Sequence, residues 1–546
     1  MTQRLVQAGL CFGAAIICQP AIGQTHRSAH TPPQGVPEAA QPDAVLAKPY
    51  GGTAIDVLTY HYDGNRTGWD STETDLTPAS VASKNFVRLA ILKVDGNVLA
   101  QPLVVSGLTL PDASVHDVLI VATGHNTVYA FDTKTYSVLW QRTLGPAQAF
   151  SDVGCRDVIP EYGISSTPVI LRPSASRATL YVVSAQEPSK RVFHTYLHAL
   201  DVGSGQDVTA AREISPSVKL SGGSTLGFDA QNQWSRAGLA ASKGGIYVSI
   251  GSHCDNNGGG IAGWELRFDP GTLAQTAAFH TVNTPGGTEL ASIWMTGFAP
   301  ALDASGDLFV VTGNGDFTKG QNDWGESVLK LSSDLSKVLG RFTPAAYDAL
   351  NSNDEDLGSG GVMLLPSAAG QSAAPLAVAV GKSSILYLLN QKQLGGEAAG
   401  DPGAMQALPA GGNGLWGGPA YYSGPNGPVV YAQTGGDLLR AYGVATSAKP
   451  ALTQTASGTT NAGYGGSLPV VASHGPADGV VFLERRSQPI NLEAYDAAKL
   501  GAPLATLAAG SWSNMQNGNS FVAPIVANGR VYAPAYKTVE VFGLRQ

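Results

Sequence analysis

Eight times along this chain a short apolar strand opens through Pro or Gly. The openings are Gln101-Pro102-Leu103-Val104, Thr167-Pro168-Val169-Ile170, Ala237-Gly238-Leu239-Ala240, Ala299-Pro300-Ala301-Leu302, Gly361-Val362-Met363-Leu364, Gly418-Pro419-Ala420-Tyr421, Leu468-Pro469-Val470-Val471 and Ala523-Pro524-Ile525-Val526. A β-branched strand follows, as in Val118 to Ala122, Leu180 to Ser184 and Ile246 to Ile250. A return strand often ends near an aromatic and Asp, as in Tyr129-Ala130-Phe131-Asp132. A repeat of roughly 50 to 70 residues, each unit unable to bury its own faces, predicts a radial array. The expected fold is all-β: a β-propeller of eight four-stranded antiparallel blades, with alternating strands. Seven blades with one irregular repeat is the alternative, ahead of two separate β domains. The last unit, residues 530–544, lacks a final strand, so an early one, near Leu58–Tyr62 or Val87–Val94, is expected to close the ring.

Composition agrees. Among 546 residues there are 67 glycines and only 14% charged side chains, the profile of short strands joined by tight turns. The net charge is −8 and no Lys/Arg run exceeds a pair, which argues against nucleic acid as a partner. Residues 1–23 read as a cleavable signal: Arg4, an apolar run to Cys18, then Ala21-Ile22-Gly23. That run is too short to span a bilayer, and no later segment does so. A periplasmic or secreted location is therefore expected. Residues 24–53 read as a flexible Pro-rich spacer, and 54–546 as the propeller. After signal removal two cysteines remain, Cys155 and Cys254. An oxidising compartment favours a disulfide between them over two free thiols.

The strand Ala130-Phe131-Asp132-Thr133-Lys134, followed by Leu139-Trp140, resembles the blade signature of the pyrroloquinoline quinone (PQQ)-dependent dehydrogenases. There an Asp turn follows the strand and a Trp docks on the next blade. Leu197 to Gly205 and Glu493 to Lys499 are weaker copies. Tyr62 to Gly68, Pro160 to Ile164 and Asp356 to Gly361 resemble recurring segments of secreted bacterial PQQ-like repeat proteins, most without assigned activity. The resemblance to quinoprotein alcohol dehydrogenases implies roles at several positions. Asn314, in Thr312-Gly313-Asn314-Gly315, matches an Asn that helps bind calcium; an Asn in a tight Gly turn is the other reading. Asp356 matches the catalytic base, or else belongs to a solvated acidic loop. Lys382 matches a cation that contacts the quinone, or is one surface Lys among others. Trp294 is either the floor under a quinone or a Trp packed between blades. Glu187 is offered for the calcium carboxylate, across a longer loop than the family has.

The departures are as informative. Where those enzymes carry adjacent cysteines, this chain has Cys155 alone in Gly154-Cys155-Arg156-Asp157. No Cys-x-x-Cys-His occurs, so no c-type haem is attached and an enzyme of this kind needs a separate electron acceptor. His253-Cys254-Asp255 reads as a disulfide Cys within a polar loop, because adjacent residues seldom bind one metal. Asp323 and Glu326 are a carboxylate pair of unknown separation. Trp416, Tyr421, Tyr422, Tyr464 and Trp512 read as inter-blade packing, with a sugar-binding face as the alternative. Two functions stay open. One is an exported binding or scaffold module for protein or polysaccharide at the propeller axis. The other is a PQQ- and calcium-dependent dehydrogenase acting on a small-molecule alcohol or sugar, with Asp356 as base.

Overall fold

The computed structural model describes residues 45–255, 261–283, 290–318, 323–366, 375–397, 400–446, 449–486, 489–512 and 522–546. The expected signal segment lies outside them, as does the spacer before Val45. From Val45 the supposed spacer is held. Val45 donates to the Leu89 carbonyl (3.0 Å) and Lys48 to that of Leu544 (2.7 Å).

Eight mainly four-stranded antiparallel blades hold residues 103–143, 169–213, 240–280, 301–342, 362–409, 420–461, 470–508 and 525–544; the third and seventh gain a fifth short strand, Gln233–Trp234 and the parallel Trp69–Asp70. In the first seven the strands are consecutive from the innermost outward. The eighth takes its outermost strand from Phe86–Asn97, paired antiparallel with Tyr536–Leu544. Of the two candidates for closure, Val87–Val94 does the work. No helix among the described residues is long and apolar enough to cross a membrane.

The alternation expected of every strand appears only at the rim. Gln406–Pro409 and Ala505–Ala508 alternate in exposure, whereas Thr127–Asp132 and Gly245–Ser252 are buried throughout. A middle strand is covered on both faces by adjacent blades, so neither face needs polar residues. The blade signature has a physical basis here. The Asp132 carboxylate accepts from the Lys134 and Thr135 amides (2.9 and 2.5 Å), closing the turn. Trp140 donates to the Val202 carbonyl of the next blade (2.8 Å). A Cβ on Gly205 would come within 2.6 Å of the Trp140 ring, so only Gly lets the indole dock. Tyr421 and Tyr422 pack against Trp69, as inter-blade packing requires (5.9 and 5.8 Å between centroids).

The other closure candidate, Leu58–Tyr62, has a different job. Residues 57–69 run along the axis, bonding the innermost strands in turn. Val57 exchanges two bonds with Val104 (2.8 and 3.0 Å). The carbonyls of Leu58, Gly64, Asn65, Thr67 and Gly68 accept from Ile170, Leu302, Leu364, Tyr421 and Val471 (2.8, 2.7, 2.9, 2.8 and 2.7 Å). The Tyr62 hydroxyl donates to the Val526 carbonyl and accepts from its amide (3.1 and 2.7 Å). Every blade except the third is touched, so the segment plugs the channel. Arg66, fully buried, holds it in shape. Its guanidinium donates twice to the Pro300 carbonyl (2.9 and 2.8 Å) and once each to Thr59 Oγ1 (2.7 Å), Tyr60 O and Asp63 O (both 3.0 Å).

Arg66→Met keeps the stem but strips these acceptors of their donor. It is expected to cost about 3 kcal/mol or more in denaturant unfolding, against about 0.5 or less for exposed Lys93→Ala. A second expectation concerns Glu265, fully buried beside Ser249, where burial pushes its carboxyl up to about 8. The folded state holds this proton after the unfolded chain has released it at about 4.5. Its contribution is complete below pH 4.5, falls as pH rises toward 8, and levels off above. Glu265→Gln is expected to flatten the fall in stability between pH 5 and 8, measured by urea unfolding at successive pH values.

Candidate functional site

In a four-stranded antiparallel blade, turns from strand two to strand three emerge at the same end as crossovers from strand four to the next blade. A cleft of about 620 Å³ at that end is lined only from such connections and the strand ends beside them. The crossovers supply Asp157, Arg236, Trp294, Asn351, Asp354, Asp356, Trp416 and Tyr464; the turns supply Cys254, Asp255, Asn314 and Lys382.

Asp356, Asn314 and Lys382, some 40 and 26 residues apart in sequence, meet here. The Asp356 carboxylate accepts from the Asn314 backbone amide (2.7 Å) and from Lys382 Nζ (2.5 Å). The Lys382 amide donates to the Asp356 carbonyl (3.0 Å), so the two are tied through side chain and main chain. Lys382 Nζ also reaches Asp354 (2.7 Å), which accepts from the Asn314 side-chain amide (2.8 Å). Asn314 Oδ1 is buried and has no hydrogen-bond partner. Burial pushes the Asp356 carboxyl up to about 6 against the pull of the Lys382 ammonium. Burial alone would lower Lys382, but Asp356 and Asp354 outweigh it and hold the ammonium above the usual lysine range. Behind Asp356, Glu326 accepts from the Leu357 amide (2.6 Å); burial, then the Asp356 charge, push its carboxyl up to about 9. Asp323 accepts from the Asn283 amide (2.7 Å), and neither of these two carboxylates lines the cleft.

Close packing fixes the floor. A Cβ on Gly313 would fall 2.2 Å from Asp356 Oδ1 and 2.8 Å from Trp294 Nε1, so the chain passes between these groups only as Gly. Trp294 faces the cleft, with the Arg236 guanidinium 5.4 Å and Lys382 Nζ 5.6 Å from its ring centroid. Leu290, Ala291, Met295 and Thr296 all adopt left-handed backbone (φ 57°, 45°, 38° and 46°). Such strain, roughly 1–3 kcal/mol per residue, persists only where the surroundings impose it, and here it brackets the indole.

Three expectations change. Glu187 does not line the cleft: its carboxylate is spent on the Ala149 and Arg191 amides (2.9 and 2.6 Å), in the long hairpin of the second blade. Asp255, read as loop, does line it. Asp255, Asp354 and Asp356 offer carboxylate oxygens within 4.8 Å of one another. Trp416 and Tyr464 belong to the cleft wall, not to blade packing alone. Cys155 and Cys254 form the expected disulfide, joining residues 99 apart (Cα–Cα 5.7 Å), and Cys254 stands in the wall.

No family model and no curated protein matches this chain. Solved structures do. A quinohemoprotein alcohol dehydrogenase from Comamonas testosteroni superposes with TM-score 0.58 at 15% identity, over 89% of this chain and 80% of that one. Quinohemoprotein alcohol dehydrogenase ADHIIG from Pseudomonas putida HK5 gives 0.56 at 13%, over 90% and 80%. A europium-containing methanol dehydrogenase gives 0.58 at 13%, over 87% and 88%. At these identities the likeness is one of architecture, and the chain has the propeller fold of the quinoprotein alcohol and methanol dehydrogenases.

Proposed function

We propose that the protein is an exported dehydrogenase that binds PQQ and a hard cation in this cleft and oxidises a hydroxyl compound. The observation that carries the reading is the meeting of Asp356, Lys382, Asn314 and Trp294, brought from separate connections into one cleft. The residues fit the groups. PQQ is a flat tricarboxylate; Trp294 offers a flat face flanked by the Arg236 and Lys382 cations. The partnerless Asn314 Oδ1, with Asp255 and Asp354, is an all-oxygen donor set of the kind calcium and other hard cations take. Europium, named for the methanol dehydrogenase above, is a cation of that class.

The quinone, when bound, supplies the hydride acceptor. The chain supplies the rest. Asp356 takes the hydroxyl proton as hydride leaves carbon, so alcohol becomes carbonyl. Its carboxylate is oriented by two donors and keeps lone pairs for a third. Lys382 holds the anionic ligand against Trp294. Turnover would need a separate electron acceptor, since no Cys-x-x-Cys-His is there to attach a c-type haem. A noncatalytic module for polysaccharide or protein is the second reading, favoured by the ion pairs among Lys382, Asp354 and Asp356, which satisfy one another without a ligand.

Reconstitution separates the two. Wild type incubated with PQQ and Ca²⁺ is expected to retain the quinone chromophore after gel filtration and to reduce a dye with an alcohol or sugar. Asp356→Asn is expected to keep the chromophore and lose about 10²-fold or more of the dye reduction; Lys382→Ala is expected to lose the chromophore. Wild type that emerges colourless removes the dehydrogenase reading. Gly313→Ala, which drives a methyl into Asp356, is expected to cost about 1–3 kcal/mol in unfolding and to abolish dye reduction. Gly227→Ala, where a Cβ meets nothing within 4 Å, serves as control.

A further inference from the structure

Three carboxylates meet on one side of the cleft, and different donors hold them. Lys382 Nζ donates to Asp354 and to Asp356. Asp255 Oδ1 instead accepts from Ser252 Oγ (2.5 Å), which in turn accepts from Ser292 Oγ (2.8 Å). Ser292 Oγ accepts from the Ser252 amide (3.0 Å). The row therefore has one direction. It begins at an amide, which can only donate, and ends at a carboxylate, which when ionised can only accept. Both hydroxyl protons are committed in turn, so Ser252 aims its proton at Asp255. Hydrogen bonds in such a row polarise and strengthen one another.

Asp255 needs that support. Cys254 and Asp255 both adopt left-handed backbone (φ 51° and 47°), which residues other than Gly keep only under outside constraint. The carboxylate oxygens of Asp255, Asp354 and Asp356 lie within 4.8 Å of one another, so like charges push them apart. The Ser252 hydroxyl pins Asp255 at one oxygen and leaves the other for a ligand. Ser252 lines the cleft; Ser292 is buried behind it. The backbone around Ser292 is tied to a second ligand turn. The Gly313 amide donates to the Ser292 carbonyl (3.0 Å), and the Ala291 amide to that of Asn314 (2.7 Å). One serine thus braces the turn that carries Asp255 and the turn that carries Asn314, whose buried Oδ1 has no hydrogen-bond partner.

We infer that Ser252 and Ser292 are positioning residues for a hard cation and act on it through Asp255. The inference rests on the cation site of the dehydrogenase reading and not on the quinone. Terbium is titrated into the full-length, chelator-washed protein and followed by emission sensitised from the cleft tryptophans. Wild type is expected to saturate. Ser252→Ala and Ser292→Ala are each expected to weaken terbium about tenfold or more. Both are expected to shorten the emission decay in H₂O but not in D₂O, as water replaces Asp255 on the ion. Asp255→Ala is expected to do the same. Either serine variant placed on top of it is expected to add less than about twofold, because the hydroxyl has lost the group it acts through. Losses that add in full, undiminished affinity in both serine variants, or no saturable emission from wild type overturns the inference. Ser292→Ala, one bond further from the ion, decides the matter if Ser252→Ala does not fold. Quinone retention by wild type judges the dehydrogenase reading separately: colourless protein whose terbium affinity depends on the serines removes that reading and leaves the positioning role standing.

Discussion

The innermost strand of a blade faces the axis with backbone groups left over from its own sheet; only in the seventh does a short strand, Trp69–Asp70, pair with it among the described residues. Such edges around a channel are a large debt of unsatisfied amides and carbonyls. Residues 57–69 meet much of it, offering carbonyls to amides of successive blades while Arg66 folds the segment back on itself. Together with Phe86–Asn97, which completes the eighth blade, the first described part of the chain ties the ring both at its centre and at its rim. Closure here is a property of the N-terminal segment rather than of the repeats.

The cleft inherits its precision from this frame. Its side chains sit on connections, the least regular part of any fold, yet their backbones are wedged. Gly313 passes between Asp356 and Trp294, and a Cβ on Gly381 would strike the Asp356 and Leu357 backbone at 2.6 Å. The left-handed residues on both sides of Trp294 are carried at a cost that the packed blades beneath can sustain. The result is a set of groups with little freedom to relax: burial dominates the proton affinities of Asp356 and Glu326, whereas the neighbouring carboxylates dominate that of Lys382.

How much of this was legible depended on whether a signal was local. Strand openings, Asp turns and the docking Trp140 are short motifs with their own physics, and they led to the blades. Asp356, Asn314 and Lys382 were singled out through resemblance, and the fold brings the three into contact. Tyr62 to Gly68 was noticed as a motif, but nothing in its composition says that it runs along an axis. Arg236 carried no motif, and Asp255, Asp157 and Tyr464 were noted for other reasons: a polar loop beside Cys254, the segment of the lone Cys155, and inter-blade packing. They reach the cleft because each lies in a connection at one end of the ring, a relation that becomes visible only once strand order is known. Glu187 shows the converse: a residue at the right end of its blade, whose long hairpin spends its carboxylate elsewhere.

The corked axis also governs traffic. A propeller with an open bore can admit a molecule at one mouth and discharge it at the other. Here the bore is stopped by Tyr60, His61 and Arg66, with the Phe298 ring against the first two. Whatever enters the cleft must back out through the doorway it came by before a successor can take its place.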